Sequence, residues 1–190
     1  MTVTQAWGRL AEVAKRRGLP LEEVLLPAAS VAELDAAEGR LGITLHPDLR
    51  ALYGLTRGLR RARNHDREPR LPGSNFPSLD DAVDRTVEMR QIASGMTDLE
   101  LWRPTWVQVF DDDDVEIFIT DCATGVIWYA WWEADELHPV APDLATFLSR
   151  AAEAADRDDV RYQSDGDYFE TPDGEVWEAP LKNPWRSTDV

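Results

Sequence analysis

Residues 105–132 read TWVQVFDDDDVEIFITDCATGVIWYAWW, and this stretch decides the fold. It contains three short runs of aromatic and β-branched residues, at 105–110, 115–120 and 126–132, a composition that favours strands. Asp111 to Asp114 separate the first two runs. The five residues 121–125 separate the last two and end in a glycine that can adopt a positive φ. The stretch therefore predicts three antiparallel strands joined as a meander.

Helical patterns precede and follow these strands. Each begins at a capping residue or a proline, carries apolar residues three and four positions apart, and most end near a glycine. The predicted helices begin near Thr4, Ser30, Pro47, Ser78 and Asp143 and end near Gly18, Gly42, Gly58, Gly95 and Asp156. Helices, then a meander, then a covering helix is the segregated arrangement. The sequence predicts an α+β fold, an antiparallel β-meander packed against several helices.

A single domain is expected over residues 1–156, because 190 residues lie within the usual size of one core. Residues 157–190 are predicted to form an acidic C-terminal extension. Pro172 to Gly174 suggest a turn between residues 168–170 and 176–178, so this extension is either a small hairpin or a loosely held tail.

The charge is distributed unevenly along the chain. The formal net charge is -16; residues 1–108 contain 15 basic and 15 acidic side chains, whereas residues 109–190 contain 5 and 21. This balance excludes a broad electrostatic nucleic-acid binder, which needs a basic face. The asymmetry indicates an acidic interaction surface for a basic partner; ordinary surface acidity is the alternative.

Composition excludes several further classes. The one cysteine, Cys122, allows neither an internal disulfide nor a multi-cysteine zinc site. Neither a basic-then-apolar leader nor a long apolar run occurs, so we expect a cytoplasmic protein that does not bind membranes. The glycine spacings fit no phosphate loop, and no serine lies in a nucleophile-elbow pattern. These absences argue against a cofactor and against catalysis.

Three features remain open to a functional interpretation. Asp111 to Asp114 could attract a divalent cation, but the run lacks the spacing of a calcium loop and is expected to be a solvated turn. Cys122, in a turn, could be reactive, although nothing near it in sequence would lower its pKa. The segment from Arg57 to Arg70, with six arginines, is either a basic loop that pairs with the acidic part or a phosphate-contacting patch.

The aromatic residues of the third predicted strand divide between two faces. Alternation puts Trp128, Ala130 and Trp132 on one face and Tyr129 and Trp131 on the other. If the first face packs under the final helix, Tyr129 and Trp131 are partly exposed, beside Glu133, as recognition residues. The alternative is that a loop or the C-terminal hairpin covers them.

Two groups of residues resemble the SUKH superfamily over roughly residues 25–155. The opening helices carry Leu26-Pro27, Glu33, Leu34, Glu38, Leu41-Gly42, Leu45, Pro47-Asp48-Leu49, Leu52-Tyr53 and Gly58. The strands and closing helix carry Trp106, Val107, Phe110, Asp121, Gly125 to Trp128 and Phe147-Leu148. Two positions depart from the pattern: His46 replaces the proline of a Leu-Pro pair, and Asp111 to Asp114 replace a glycine-containing turn.

The resemblance implies a non-enzymatic binding protein without a cofactor, most often an immunity protein that neutralises a bacterial toxin domain. Such toxins are frequently nucleases with basic clefts, which agrees with the charge map. We therefore expect a basic toxin domain as partner and a monomer or weak homodimer; a cell-wall assembly regulator or scaffold is the alternative. The predicted partner-binding residues are Asp111, Asp112, Asp113, Asp114 and Glu116 for steering, and Tyr129 and Trp131, beside Glu133, as apolar anchors.

Overall fold

A four-stranded antiparallel sheet forms around the predicted meander. The computed structural model of the chain describes residues 1–60, 71, 75–95, 102–112, 116–131, 136–163 and 168–175. Within them this sheet consists of β1 (Trp106–Asp112), β2 (Glu116–Asp121), β3 (Ile127–Trp131) and β4 (Glu136–Ala141), hydrogen-bonded in that order. The three predicted strands are confirmed to within two residues at each end.

The fourth strand was not predicted. Pro139 lies in its middle, and a proline argues against a strand because it cannot donate to the ladder. β4 tolerates it because it is the edge strand, paired on one side only to β3. The position of the strand in the sheet, which the sequence does not state, decides whether proline is allowed.

The helices in the described residues are α1 (Val3–Arg16), α2 (Leu21–Val24), α3 (Val31–Leu41), α4 (Pro47–Tyr53), α5 (Leu79–Ser94) and α6 (Leu144–Arg157). The predicted caps Ser30, Ser78 and Asp143 are confirmed, since each side chain accepts a backbone N–H of the first turn. Thr2, not Thr4, caps α1 through a capping box. The fold is thus α+β, as predicted.

The predicted end of the third helix at Gly58 is wrong, because α4 ends at Tyr53. Gly58 instead adopts a φ of +111° in the following loop, and a Cβ added to it would lie 2.4 Å from the carbonyl oxygen of Pro77. The backbone of residue 58 packs against the entry to α5 at a distance that only glycine permits. Glycine was required here for a close backbone approach, and not for helix termination.

The sheet has helices on both faces. The main core lies between one face and α1, α4 and α6, where the ring of Phe147 packs 5.2 Å from Phe110 and 4.9 Å from Phe118. α5 packs on the opposite face over β1, and Thr86 accepts the backbone N–H of Gln108 at 3.1 Å. A second, smaller apolar cluster lies under α5.

The C-terminal hairpin is joined to the first and last helices. β5 (Arg161–Gln163) pairs with β6 (Tyr168–Glu170), and Val160 and Phe169 are buried in the main core. The predicted strand at 168–170 is therefore confirmed with a different partner, while residues 176–178 lie outside the described residues. A domain boundary at residue 156 stays a prediction.

Candidate partner-binding surface

Asp111 was expected to be exposed for steering, and this expectation is wrong. Its side chain is about 2% exposed and forms an ion pair with Arg85 of α5. Its carboxylate also accepts from the amide nitrogens of Asn75, at 3.1 Å, and Gln108, at 3.3 Å. Asp111 points to the α5 face because residue 109 forms a bulge in β1. It is a buried structural carboxylate and cannot meet a partner.

Tyr129 was expected to be exposed, and this too is wrong. Tyr129 pairs with Phe118 across the strands, with ring centroids 5.6 Å apart, and is only 2% exposed under α6. Trp131 is partly buried against the same core, and Glu116 is opposite it. The face with Tyr129, and not the face with Trp128, packs under the final helix.

The other predicted site residues are at one end of the sheet. Asp112 ends β1, while Asp113, Asp114 and Glu133 lie outside the described residues. The strand ends Asp112, Glu116, Trp131 and Glu136 follow one another across the four strands in register. The connections β1 to β2 and β3 to β4 therefore start and finish at the same end of the sheet.

The α5 face leaves apolar side chains accessible on its outer half. Trp128 of β3 is partly exposed and pairs with Pro139 of β4, which is exposed. Ala130, buried, pairs with Leu137, whose side chain is 39% exposed. Paired residues of antiparallel strands point to the same face. These side chains form one continuous apolar strip along the edge of the sheet.

Arg103 lies over this strip. Its guanidinium carbon is 5.1 Å from the ring centroid of Trp106 and 5.2 Å from that of Trp128, within cation–π distance. Trp106 is fully buried beneath, edge-on to Trp102 and 5.5 Å from Trp128. A rigid floor of three indoles thus supports an exposed cation. We call Arg103, Trp128, Leu137 and Pro139 the Trp128 patch.

The opposite end of the sheet carries a polar cluster around the β2 to β3 turn. A Cβ on Gly125, whose φ is +82°, would lie 2.8 Å from the imidazole of His46, so the ring of His46 packs directly on this turn. Burial raises the pKa of the Cys122 thiol to about 11, although a hydrogen bond with the backbone of His46 lowers this pKa in part. Cys122 is protonated at neutral pH and is a weak nucleophile there.

The basic segment is described only at its start. Arg57 pairs with Glu33 of α3, and the backbone N–H of Arg60 donates to Val24. Residues 61–70 lie outside the described residues, so the predicted pairing of this segment with the acidic C-terminal part stays a prediction.

Sequence comparison matches residues 28–150 to the family described as SMI1 / KNR4 family (SUKH-1). The chain belongs to the SMI1 / KNR4 family (SUKH-1). Immunity proteins occur in this family, and its members commonly bind toxin domains. A search of curated proteins found no match. Because the matched segment begins before α3 and ends within α6, helix α1 and the β5–β6 hairpin of this family member lie outside it.

The described residues of this family member contain neither a membrane-spanning helix nor a metal-binding cluster. In the described ranges, no helix is long and apolar enough to cross a membrane. The same ranges contain no group of three or more histidine, cysteine or acidic side chains arranged to hold a metal ion. The Trp128 patch offers a partner apolar contact with one cation beside it.

Sequence reasoning missed this patch, although it separated the two faces of β3 correctly. The alternation of apolar residues says that Trp128 and Tyr129 point in opposite directions, but both faces of this strand are apolar. What separates them is the packing of Phe147 of α6 against Phe118, the cross-strand partner of Tyr129, a contact between residues far apart in the sequence.

Proposed function

We propose that this family member is a non-enzymatic immunity protein that neutralises a basic toxin domain by one-to-one binding. The observation that carries the proposal is the charge asymmetry: 21 acidic against 5 basic side chains in residues 109–190. Within a family whose members commonly bind toxin domains, such a field favours a partner with a basic cleft. A nuclease-type domain, which binds phosphates through basic side chains, has that property.

The topology of the meander supports one location for the steering charges, the end of the sheet where two strand connections meet. Both connections that join the strand ends Asp112 to Glu116 and Trp131 to Glu136 belong to one end of the sheet. Asp113, Asp114, Glu133 and Asp135 are in these connections. Charges gathered at one end of a molecule orient an incoming partner and raise its association rate, especially at low salt.

The test is to co-express the chain with a basic nuclease-type toxin domain encoded beside its gene and to measure growth. Protection of the cells, together with a one-to-one complex of the purified proteins in calorimetry, is expected. If cells die although both proteins are present and folded, immunity is wrong and a regulatory or scaffold role takes its place.

A charge variant tests the steering. Replacing Asp112, Asp113 and Asp114 by Asn should slow association with that toxin domain and flatten its salt dependence, because rim charges act mainly on the association rate. The matched control replaces three exposed acids of helices α1, α2 and α3, Glu12, Glu23 and Asp35, by their amides. Equal slowing in both variants would mean that net charge acts without any preferred end.

A further inference from the structure

The Trp128 patch has the composition of a protein-binding centre. Tryptophan and arginine are enriched among residues whose truncation costs most binding energy, and both occur here side by side. Leu137 and Pro139 extend the apolar area along β4, and Leu137 is one of few large apolar side chains that the described part leaves more than a third exposed. Trp128 is held in place by Trp106, so little side-chain entropy is lost when a partner contacts it.

Arg103 gives the patch a charge preference. Most of the described arginines donate to a carboxylate or a backbone carbonyl: Arg17 to Asp159, Arg85 to Asp111 and Arg150 to Val140 are examples. The guanidinium of Arg103 contacts only indole rings in the described part of the chain. Its N–H donors are directed to no acceptor there, although guanidinium groups form their strongest contacts with carboxylates.

We propose that the Trp128 patch docks a protein partner through an apolar side chain seated on Trp128 and Leu137, flanked by a carboxylate that pairs with Arg103. This inference rests on the proposed function and names the contact that the toxin domain would make. A mainly basic domain can supply one such carboxylate, and its pair with Arg103 then fixes the orientation of that domain on the Trp128 patch.

The geometry of β4 limits the contact to side chains. A partner strand could pair with β4 only through free backbone groups along its outer edge. Pro139 has no N–H, and the carbonyl of Val140 already accepts from Arg150 at 2.6 Å. Addition of a strand is therefore disfavoured, and the flat face of the sheet is the part that binds.

The experiment is a selection from a random-peptide display library on the full-length protein. We expect enriched peptides that carry a large apolar residue close to Asp or Glu. As free peptides, they should bind at least about tenfold more weakly to the Arg103→Glu and Leu137→Asp variants. Both substituted residues are exposed, and cooperative unfolding of each variant would establish that it is folded.

The matched control is Arg161→Glu, which makes the same charge change at an exposed arginine of β5 and should leave peptide binding unchanged. The proposal is overturned if no consensus emerges, if the consensus lacks the acidic residue, or if all three variants bind alike. Concentration-dependent dimerisation that Leu137→Asp abolishes would also overturn it, since the occupant would be a second copy of the chain.

The same variants separate this inference from the proposed function. Toxin neutralisation that survives both Arg103→Glu and Leu137→Asp would overturn the docking surface and leave immunity standing. A peptide consensus that depends on Arg103, in a protein that gives no protection from any toxin domain, would overturn immunity and leave the docking surface standing.

Discussion

Asp111 shows how much a single buried charge depends on its surroundings. Its buried carboxylate forms an ion pair with Arg85 and accepts hydrogen bonds from the side-chain amides of Asn75 and Gln108. Asp111→Asn removes the buried negative charge that lies beside the guanidinium of Arg85, itself mostly buried. We expect a loss of about 3 kcal/mol in the free energy of unfolding, measured by urea denaturation.

A double-mutant cycle with Arg85→Met tests the physical reason. The double variant should lose less stability than the sum of the single variants, by about 1 kcal/mol or more, since both buried charges of the pair are then removed together. Asp84→Asn on the same helix is the control: its pair with Arg40 is exposed and should contribute about 0.5 kcal/mol or less. Additive losses would show that Asp111 and Arg85 stabilise the fold independently.

Cys122 provides a pH measurement. Burial disfavours the thiolate, and the pKa of about 11 keeps the thiol protonated through the neutral and mildly alkaline range. Alkylation by iodoacetamide at pH 8 should therefore be slower in the folded protein than in urea by roughly two orders of magnitude, because the ordinary cysteine pKa is ~8.5. The folded rate should rise with pH up to about 11. A plateau near pH 8.5 would contradict this assignment.

At the residue scale, the sequence predicted local hydrogen bonds and missed burial. Ser30 and Glu33 form a capping box because both partners are within one turn of chain, so the pattern contains all the information. Asp111 looked like the first member of a solvated acidic run. Its burial depends on Arg85 and Asn75, which are 26 and 36 residues away in sequence.

At the scale of elements, Arg17 joins three of them. Its guanidinium donates to the carbonyls of Ala155, Asp156 and Asp158 at the end of α6, and its own carbonyl accepts from Tyr162 of β5. The last carbonyls of a helix have no partner within the helix, so this side chain caps α6 from outside. It fixes α1, α6 and the hairpin to one another.

Arg17→Lys tests this cap. An ammonium cannot reach three carbonyls at once, so we expect a loss of about 1–2 kcal/mol in stability and faster amide hydrogen exchange in the last turn of α6. Arg16→Lys, next to it, changes only an exposed pair with Asp156 and should have an effect within about 0.5 kcal/mol. Similar results for both would mean that the carbonyl contacts contribute little.

Elements were predictable where their ends are marked by their own residues. α3 has a capping box at its start and Gly42 at its end, and α5 has Ser78, so both were found. β4 was not found, because a proline is allowed there only by the position of the strand at the sheet edge. The predicted length of α4 was wrong because the helix ends at its C-cap Gly54 and not at the predicted Gly58.

At the scale of the whole molecule, the hairpin belongs to the main core by its contacts. Phe169 is 3% exposed and packs within the same apolar cluster as α1 and α6. Phe169→Ala should therefore lower the stability of the entire chain by about 3 kcal/mol or more, with one cooperative transition in fluorescence and circular dichroism. An extension that folds separately would leave the main transition where it was.

Pro172→Ala is the control for that measurement, because Pro172 is exposed in the turn after β6 and should leave the midpoint nearly unchanged. The outcome also decides whether the chain is one domain or a domain with an appendage. The sequence favoured the second, since the acidic composition after residue 156 hides the few apolar residues, such as Val160 and Phe169, that contact the core.

The fold class was predictable because the meander is local, whereas the assignment of its faces was not. Both faces of β3 are aromatic, and only the packing of Phe147 against Phe118 puts Tyr129 inside and Trp128 outside. Of the two predicted anchors, Tyr129 is buried, one residue away from the partly exposed Trp128, which is the smallest shift that reverses the direction of a side chain in a strand. Trp131 is partly exposed, as predicted.

The pairing of α1 with α6 bears on how the chain is made. Arg9 contacts Glu153, 144 residues later, and contacts of this kind run along both helices. At ribosomal speeds of about 5–20 residues per second, the apolar side of α1 waits roughly 7–30 s for its partner. During that time the side of α1 that faces α6 is available to chaperones and to other nascent chains. Synthesis rate and chaperone supply should therefore affect the yield of native protein in the cell, in addition to equilibrium stability.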